Sequence, residues 1–133
     1  VAEIVVGGEV EVVDLAVEPE LVGACGLARR PSGAVELGYW IARAHWGHGY
    51  ATEAARGVLE VARMLGHRRI VASHFIDNPA SGRVLVKAGF KPTGEVRPGY
   101  SLARGGHDMV ACYIMQLGEE EPKPSVLPLR QAA

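Results

Sequence analysis

Trp46-Gly47-His48-Gly49-Tyr50-Ala51-Thr52-Glu53-Ala54 is the stretch on which the fold turns. Before it, apolar residues come in short strand-like runs. After it they recur at Ala54, Ala55, Val58, Leu59, Ala62 and Leu65, which is one face of a helix. The stretch therefore links a strand to a helix. Its glycines let the backbone take positive φ and approach a ligand closely. Its amides, with the free N–H groups of the helix start, make a concave site for negative oxygen. A tight turn with no ligand fits the same two glycines. No Gly-Lys-Ser/Thr follows, which excludes a Walker A loop, and Thr52 stands where a Rossmann fingerprint has its third Gly or Ala.

Working outward, Val5 to Val17, broken by Gly7-Gly8, reads as strand, turn, strand, and Leu21 to Leu27 as a further strand. Pro31, Ser32 and Gly33 form a turn before Val35 to Ala42, a strand whose Tyr39 and Trp40 suit a half-buried pleated surface. On the polar face of the first helix, Glu53, Arg56, Glu60 and Arg63 are spaced for ion pairs along the helix. Gly66 suits its C-terminal cap, and His67-Arg68-Arg69 complements the negative end of its dipole. Ile70 to Phe75 is the next strand. Asn78-Pro79 fits the N-cap and N1 of a second helix, because Asn accepts from a free backbone N–H and Pro needs no partner. Ala80, Val84, Leu85 and Ala88 form its apolar stripe. Gly89 ends it, and Phe90 is expected to fold back on Leu85. Tyr100 to Leu102 and Met109 to Leu117 read as a final hairpin around Gly105-Gly106. The order predicts an α/β (α+β) domain, a mixed sheet with helices packed on it. It spans residues 1–117, followed by a tail, 118–133, that opens with Glu119 to Glu121 and carries Pro122, Pro124 and Pro128.

At 133 residues there is room for one core. A composition of 48% hydrophobic and 22% charged residues is that of an ordinary globular protein. The formal charge of -1 leaves no basic stripe for nucleic acid, so Arg29-Arg30 and His67-Arg68-Arg69 read as strand and helix ends. No apolar run approaches the roughly 18 to 20 residues that span a bilayer, and the opening Val1-Ala2-Glu3 lacks a signal peptide's basic region. Since no Met precedes Val1, the native chain is expected to begin upstream. Cys25 and Cys112 read as buried, reduced thiols of a cytoplasmic protein. No His or Cys cluster has metal spacing, so no metal is expected.

Glu36-Leu37-Gly38-Tyr39-Trp40-Ile41, the loop Trp46 to Ala54, Asn78-Pro79-Ala80-Ser81 with Arg83-Val84-Leu85, and Gly89-Phe90 occur in one order. In that order they resemble the Gcn5-related N-acetyltransferase (GNAT) superfamily, nearest the branch of the ribosomal-protein alanine N-acetyltransferases. Gly106-His107-Asp108 is similar to that branch too. The resemblance runs from about Leu21 to Leu117. It implies a mostly antiparallel sheet whose central strands splay, and acetyl-CoA as cosubstrate with an amine as acceptor. The pyrophosphate would lie on the amides of Trp46, Gly47, His48, Gly49, Tyr50, Ala51 and Thr52. Pantetheine would run along Ile41, Ala42 and Arg43, with Asn78 hydrogen-bonded to it and Ser81, Arg83 and Lys87 on the cofactor side. Trp46 departs from the Arg or Gln that usually opens the loop.

Acetyl transfer needs a neutral amine and a thiolate that can leave. A free α-amino group, pKa about 7.7–8.0, is partly neutral at pH 7, whereas Lys, about 10.4, needs more help. Glu36, on the strand that runs into the loop, is the candidate base, with a surface or ion-paired Glu as its alternative. Ser81 is the candidate donor to the thiolate, with first-turn capping as its alternative. Many relatives carry a Tyr acid where this chain has Leu85. His107, Asp108 and Tyr100 suit either the acceptor pocket or the hairpin, and His74 reads as a strand-end residue.

Family members usually begin with a strand and two helices that shape the acceptor site, and Val1 to Val17 shows no helical period. That part is expected to be missing, and the sheet face it would cover is a candidate homodimer surface. Two other classes fit the sequence: a non-catalytic acyl-CoA-binding or sensing module, and an interaction domain in which the loop is only a turn. Protein N-termini, other peptides, amino sugars, antibiotics and polyamines all satisfy it as acceptors.

Overall fold

A computed structural model describes residues 2–7, 10–17, 20–101 and 104–118, with side chains from residue 22 onward. Its Val-rich runs form β1 (Ala2–Gly7), β2 (Val10–Val17) and β3 (Glu20–Arg29), and the run after Pro31 forms β4 (Val35–Ile41). A 3-10 turn, Arg43–His45, and the glycine loop lead to α1 (Tyr50–Met64). Then come β5 (Arg69–Phe75), α2 (Pro79–Ala88), β6 (Lys91–Ser101) and β7 (Gly106–Gln116).

The seven strands make one sheet in the order β1-β2-β3-β4-β5-β7-β6. Neighbours are antiparallel except β4 and β5, which are joined through α1 and therefore run parallel. That parallel contact consists of a single register pair, Glu36 opposite Val71. Beyond it the two strands part, which is the splay expected for this fold.

Both helices pack on one face of the sheet. Ala54, Ala55, Val58, Leu59 and Ala62 of α1 and Leu85 of α2 close over Cys25, Leu27, Val35, Leu37, Ile70 and Ala72, with Phe90 completing the core. Three alanines on the buried face of α1 let its backbone lie close to the strands. Gly82 does the same for α2: a Cβ there would sit 2.8 Å from His74 Nε2 and 3.2 Å from the Tyr113 hydroxyl.

The caps follow the local chemistry. The Asn78 side chain accepts from Ser81 N–H at 3.4 Å, with Pro79 in the first turn. At the other end Gly89 is left-handed, and the N–H groups of Phe90 and Gly89 donate to the carbonyls of Leu85 and Val86, each at 3.0 Å. Gly66 and His67 close α1 in the same way, on Arg63 and Ala62.

Three expectations change. The strand before the last hairpin spans Lys91–Ser101, far more than Tyr100–Leu102. Pro92, Gly94, Pro98 and Gly99 mask it in the sequence, and they are tolerated because β6 is an edge strand; Leu102 itself lies outside the described residues. On α2 the buried positions are Gly82 and Leu85, while Ala80 is exposed. On α1, Arg63 pairs with Glu60 at 2.6 Å, but Arg56 crosses to α2 and donates to the Lys87 carbonyl at 2.9 Å. The tail from residue 119 lies outside the described residues, and no described helix is long and apolar enough to cross a membrane.

Candidate functional site

The glycine loop stands at the C-terminal end of β4, where the sheet has opened. Gly47 and Gly49 take φ of +80 and +76, a region that disfavours side chains. Gly49 is the N-cap of α1 and brings no side chain to cap it. The first helical bond runs from Glu53 N–H to the Gly49 carbonyl, 3.0 Å, so the amides of Tyr50, Ala51 and Thr52 point out of the helix start without acceptors among the described residues. With the helix dipole behind them they form an anion site.

Aromatic contacts brace the loop. Trp46 Nε1 donates to the Ile41 carbonyl at 2.8 Å, tying the loop back to the end of β4, and the Arg43 guanidinium lies 5.6 Å from the indole centroid. His48 stacks on Tyr50 and donates from Nδ1 to the His45 carbonyl at 3.1 Å. Trp46 thus holds the strand end in place of making a charged contact.

The open edge of β4 supplies a second recognition element. Ala42 N–H donates to the Val22 carbonyl of β3 at 2.7 Å. Strand alternation then turns the N–H and C=O groups of Tyr39 and the N–H of Ile41 the other way, into the gap, where β5 no longer pairs with them; the Ile41 carbonyl is taken by Trp46. A cleft of ≈ 530 Å³ joins this edge to the loop and to the start of α2.

Of the sequence candidates, Ile41, Trp46, Gly47, Gly49, Tyr50, Ala51, Thr52, Asn78, Ser81 and Lys87 line that cleft. Ala42, Arg43, His48 and Arg83 do not, although the first three adjoin the loop. Glu36 lies at the far end of β4. It shares a sheet face with Gly38 and Trp40, opposite the helices, and its carboxylate is paired with Arg30. His74 sits beneath α2, donating from Nδ1 to the Phe75 carbonyl at 2.7 Å, which leaves Nε2 to accept from the Tyr113 hydroxyl at 3.1 Å. Asp108 accepts from Arg104 within the hairpin, and the His107 ring meets Tyr100 edge-on.

Tyr39 is the residue that sequence reasoning passed over. Its hydroxyl hydrogen-bonds the Ser81 hydroxyl and also donates to the Ser81 carbonyl at 3.2 Å. Burial holds the phenol above its ordinary pKa, and the bond to Ser81 offsets part of that. The sequence reads Tyr39 only as strand packing, because Ser81 is distant in the chain. Leu85, the position at which the resemblance implies a Tyr acid in many relatives, is in the core at 1% exposure.

A model of the acetyltransferase (GNAT) domain matches residues 7–91. The chain belongs to this family. Over 82 residues the domain is 42% identical to the uncharacterised N-acetyltransferase YoaA of Bacillus subtilis, covering 59% of this chain and 46% of that protein. This GNAT domain thus spans about half the length of that relative. Two solved structures share its fold. The ribosomal-protein-S5-alanine acetyltransferase of Vibrio fischeri superposes with a TM-score of 0.73 at 19% identity, over 86% of this chain and 65% of that one. The yncA protein of Salmonella typhimurium, solved with its cofactor acetyl-CoA, gives 0.73 at 21% identity, over 87% and 69%.

Proposed function

We propose that this GNAT domain is an acetyl-CoA-dependent N-acetyltransferase acting on a primary amine. The observation that carries the reading is the convergence of outward-pointing amides at Tyr50, Ala51 and Thr52 with the open edge of β4 at Tyr39 and the Ile41 N–H. The first suits a pyrophosphate and the second suits an amide-bearing arm. Lys87, at the cleft wall, adds a positive charge for the phosphates. Acetyl-CoA supplies the thioester when bound.

The chain's own groups divide the remaining work. The Glu36 carboxylate takes the surplus proton of the attacking amine, directly or through water. As the N–C bond forms and the C–S bond breaks, the Ser81 hydroxyl donates a hydrogen bond to the leaving thiolate, which then takes its proton from water. Tyr39 orients Ser81 through bonds to both its carbonyl and its hydroxyl, and when the single phenolic proton turns to Oγ the serine proton faces the cleft. The amides along the β4 edge polarise the carbonyl. The reading places the protein in the cytoplasm, in keeping with two free cysteines. A homodimer belongs to the same reading and is checked by sedimentation.

Titration with coenzyme A tests the cofactor site. Binding should be tight in the wild type and weakened at least about tenfold in Gly49→Val, whose side chain enters the anion site. Absence of binding at millimolar coenzyme A would remove the reading. A second reading, an acyl-CoA-binding module without turnover, draws on the buried Leu85. Thiol release from acetyl-CoA across a panel of amines separates the two.

A further inference from the structure

The sheet face turned away from the helices carries a second cavity of ≈ 440 Å³, at the other end of β4 and β5 from the glycine loop. Its floor is Val71 of β5 with Cys112 and Ile114 of β7, which alternate with the core-facing Ile70, Ala72, Tyr113 and Met115. One wall is the β3–β4 turn, held by Gly33 N–H to the Arg30 carbonyl and Arg30 N–H to the Ala34 carbonyl, both 2.8 Å. The other wall is β6, where pairing with β7 lapses between Pro92 and Val96. There Thr93 Oγ1 donates to the Cys112 carbonyl at 3.2 Å and accepts from Glu95 N–H at 3.1 Å, which holds the lapse in shape.

Three guanidiniums line this apolar floor: Arg30, Arg69 and Arg97. Arg30 is paired with Glu36, and Arg97 Nε stands 4.0 Å from a Glu95 oxygen. Arg69 is exposed and has no partner among the described residues. Three fixed cations thus face two carboxylates. Guanidinium keeps its charge and offers paired N–H groups that match carboxylate or phosphate.

We propose that this cavity receives the amine acceptor, and that the acceptor is a small primary amine carrying a separate anionic group and an apolar body. The inference rests on the acetyltransferase reading and names its substrate class. The anion lies at Arg69 and Arg97, and the apolar body covers Val71 and Ile114. The amine points toward Glu36, whose partner Arg30 lines the rim and whose register partner Val71 forms the floor. The cavity therefore adjoins the point where β4 and β5 part, on the face opposite the cofactor helices.

Matched amines test it: leucine against leucinamide, and O-phosphoethanolamine against ethanolamine, assayed by thiol release from acetyl-CoA. The two pairs distinguish a carboxylate acceptor from a phosphate one. In at least one pair kcat/KM should favour the anionic member by about tenfold or more, and Arg69→Ala or Arg97→Ala should bring the ratio toward one. Equal rates in both pairs, or a preference untouched by both substitutions, would overturn the proposal. Calorimetric titration of the full chain with leucine and with inorganic phosphate gives a readout independent of turnover. Binding weakened about tenfold by Arg69→Ala supports the site, and no binding at millimolar ligand overturns it. If no amine releases thiol while an anion still binds at Arg69, the acetyltransferase reading fails separately from the anion site.

Discussion

The hydroxyls of Tyr39 on β4 and Ser81 on α2 are hydrogen-bonded to each other across the opening between the strand and the helix. The Ser81 N–H is held by Asn78, and its carbonyl accepts from Tyr39, so backbone and side chain are fixed together. Ser81→Ala should lower kcat by about 100-fold, the low end of what one positioned hydrogen-bond donor to a developing charge contributes. Tyr39→Phe should lower it by about tenfold, since it removes only the two bonds that orient Ser81. Coenzyme A affinity, measured by titration, should stay within about twofold in Tyr39→Phe. A loss confined to KM would contradict the orienting role.

Gly82 lets α2 lie close against the His74 and Tyr113 side chains of the sheet. An added methyl meets His74 Nε2 at 2.8 Å and the Tyr113 hydroxyl at 3.2 Å, both tied into one hydrogen-bonded pair. Gly82→Ala should therefore cost about 1–3 kcal/mol, as overpacking does. Urea unfolding would report it as a lower midpoint with unchanged slope.

Arg104 holds Asp77 with two bonds, 2.6 and 2.7 Å, reaches Asp108 at 3.0 Å, and lies 3.9 Å from the Phe75 ring centroid. The guanidinium keeps the Asp77 carboxyl below its ordinary pKa. Such a carboxylate stabilises the fold above its unfolded pKa, about 3.9, and the contribution is lost as pH falls through the folded value. Asp77→Asn should melt below the wild type at pH 7, by a small margin because the pair is exposed. The two melting curves should converge as pH drops below about 4.

Burial pushes the Cys25 thiol up to about 12. Since the thiolate is the reactive form, Cys25 should resist a disulfide reagent at pH 8 in the folded chain and react on denaturation. Peptide mass mapping before and after urea checks this.

Most of the helices and their ends could be read in advance, because each depended on neighbours a few positions away. The 3.6-residue spacing of Ala54, Ala55, Val58, Leu59 and Ala62, the cap at Asn78 and the left-handed closures at Gly66 and Gly89 all appear in the structure. Strand β6 was hidden, since Pro92 and Pro98 contradict strand propensity and only an edge position excuses them. Tyr39 was hidden for another reason: its partner Ser81 is brought to it by the parallel placement of β5 beside β4 and by α2 following β5. The course of Arg56 to the Lys87 carbonyl likewise required the two helices to be side by side.

Short-range chemistry along the chain was enough to specify a glycine-rich loop feeding a capped, amphipathic helix, because φ preferences and apolar periodicity act over a single turn. Long-range packing settled the rest: that β4 and β5 share only the register pair Glu36–Val71, that Tyr39 meets Ser81, and that three arginines from separate strands and turns line one cavity. Those outcomes depend on which apolar faces bury together, and burial acts through the whole sheet without regard to distance along the sequence.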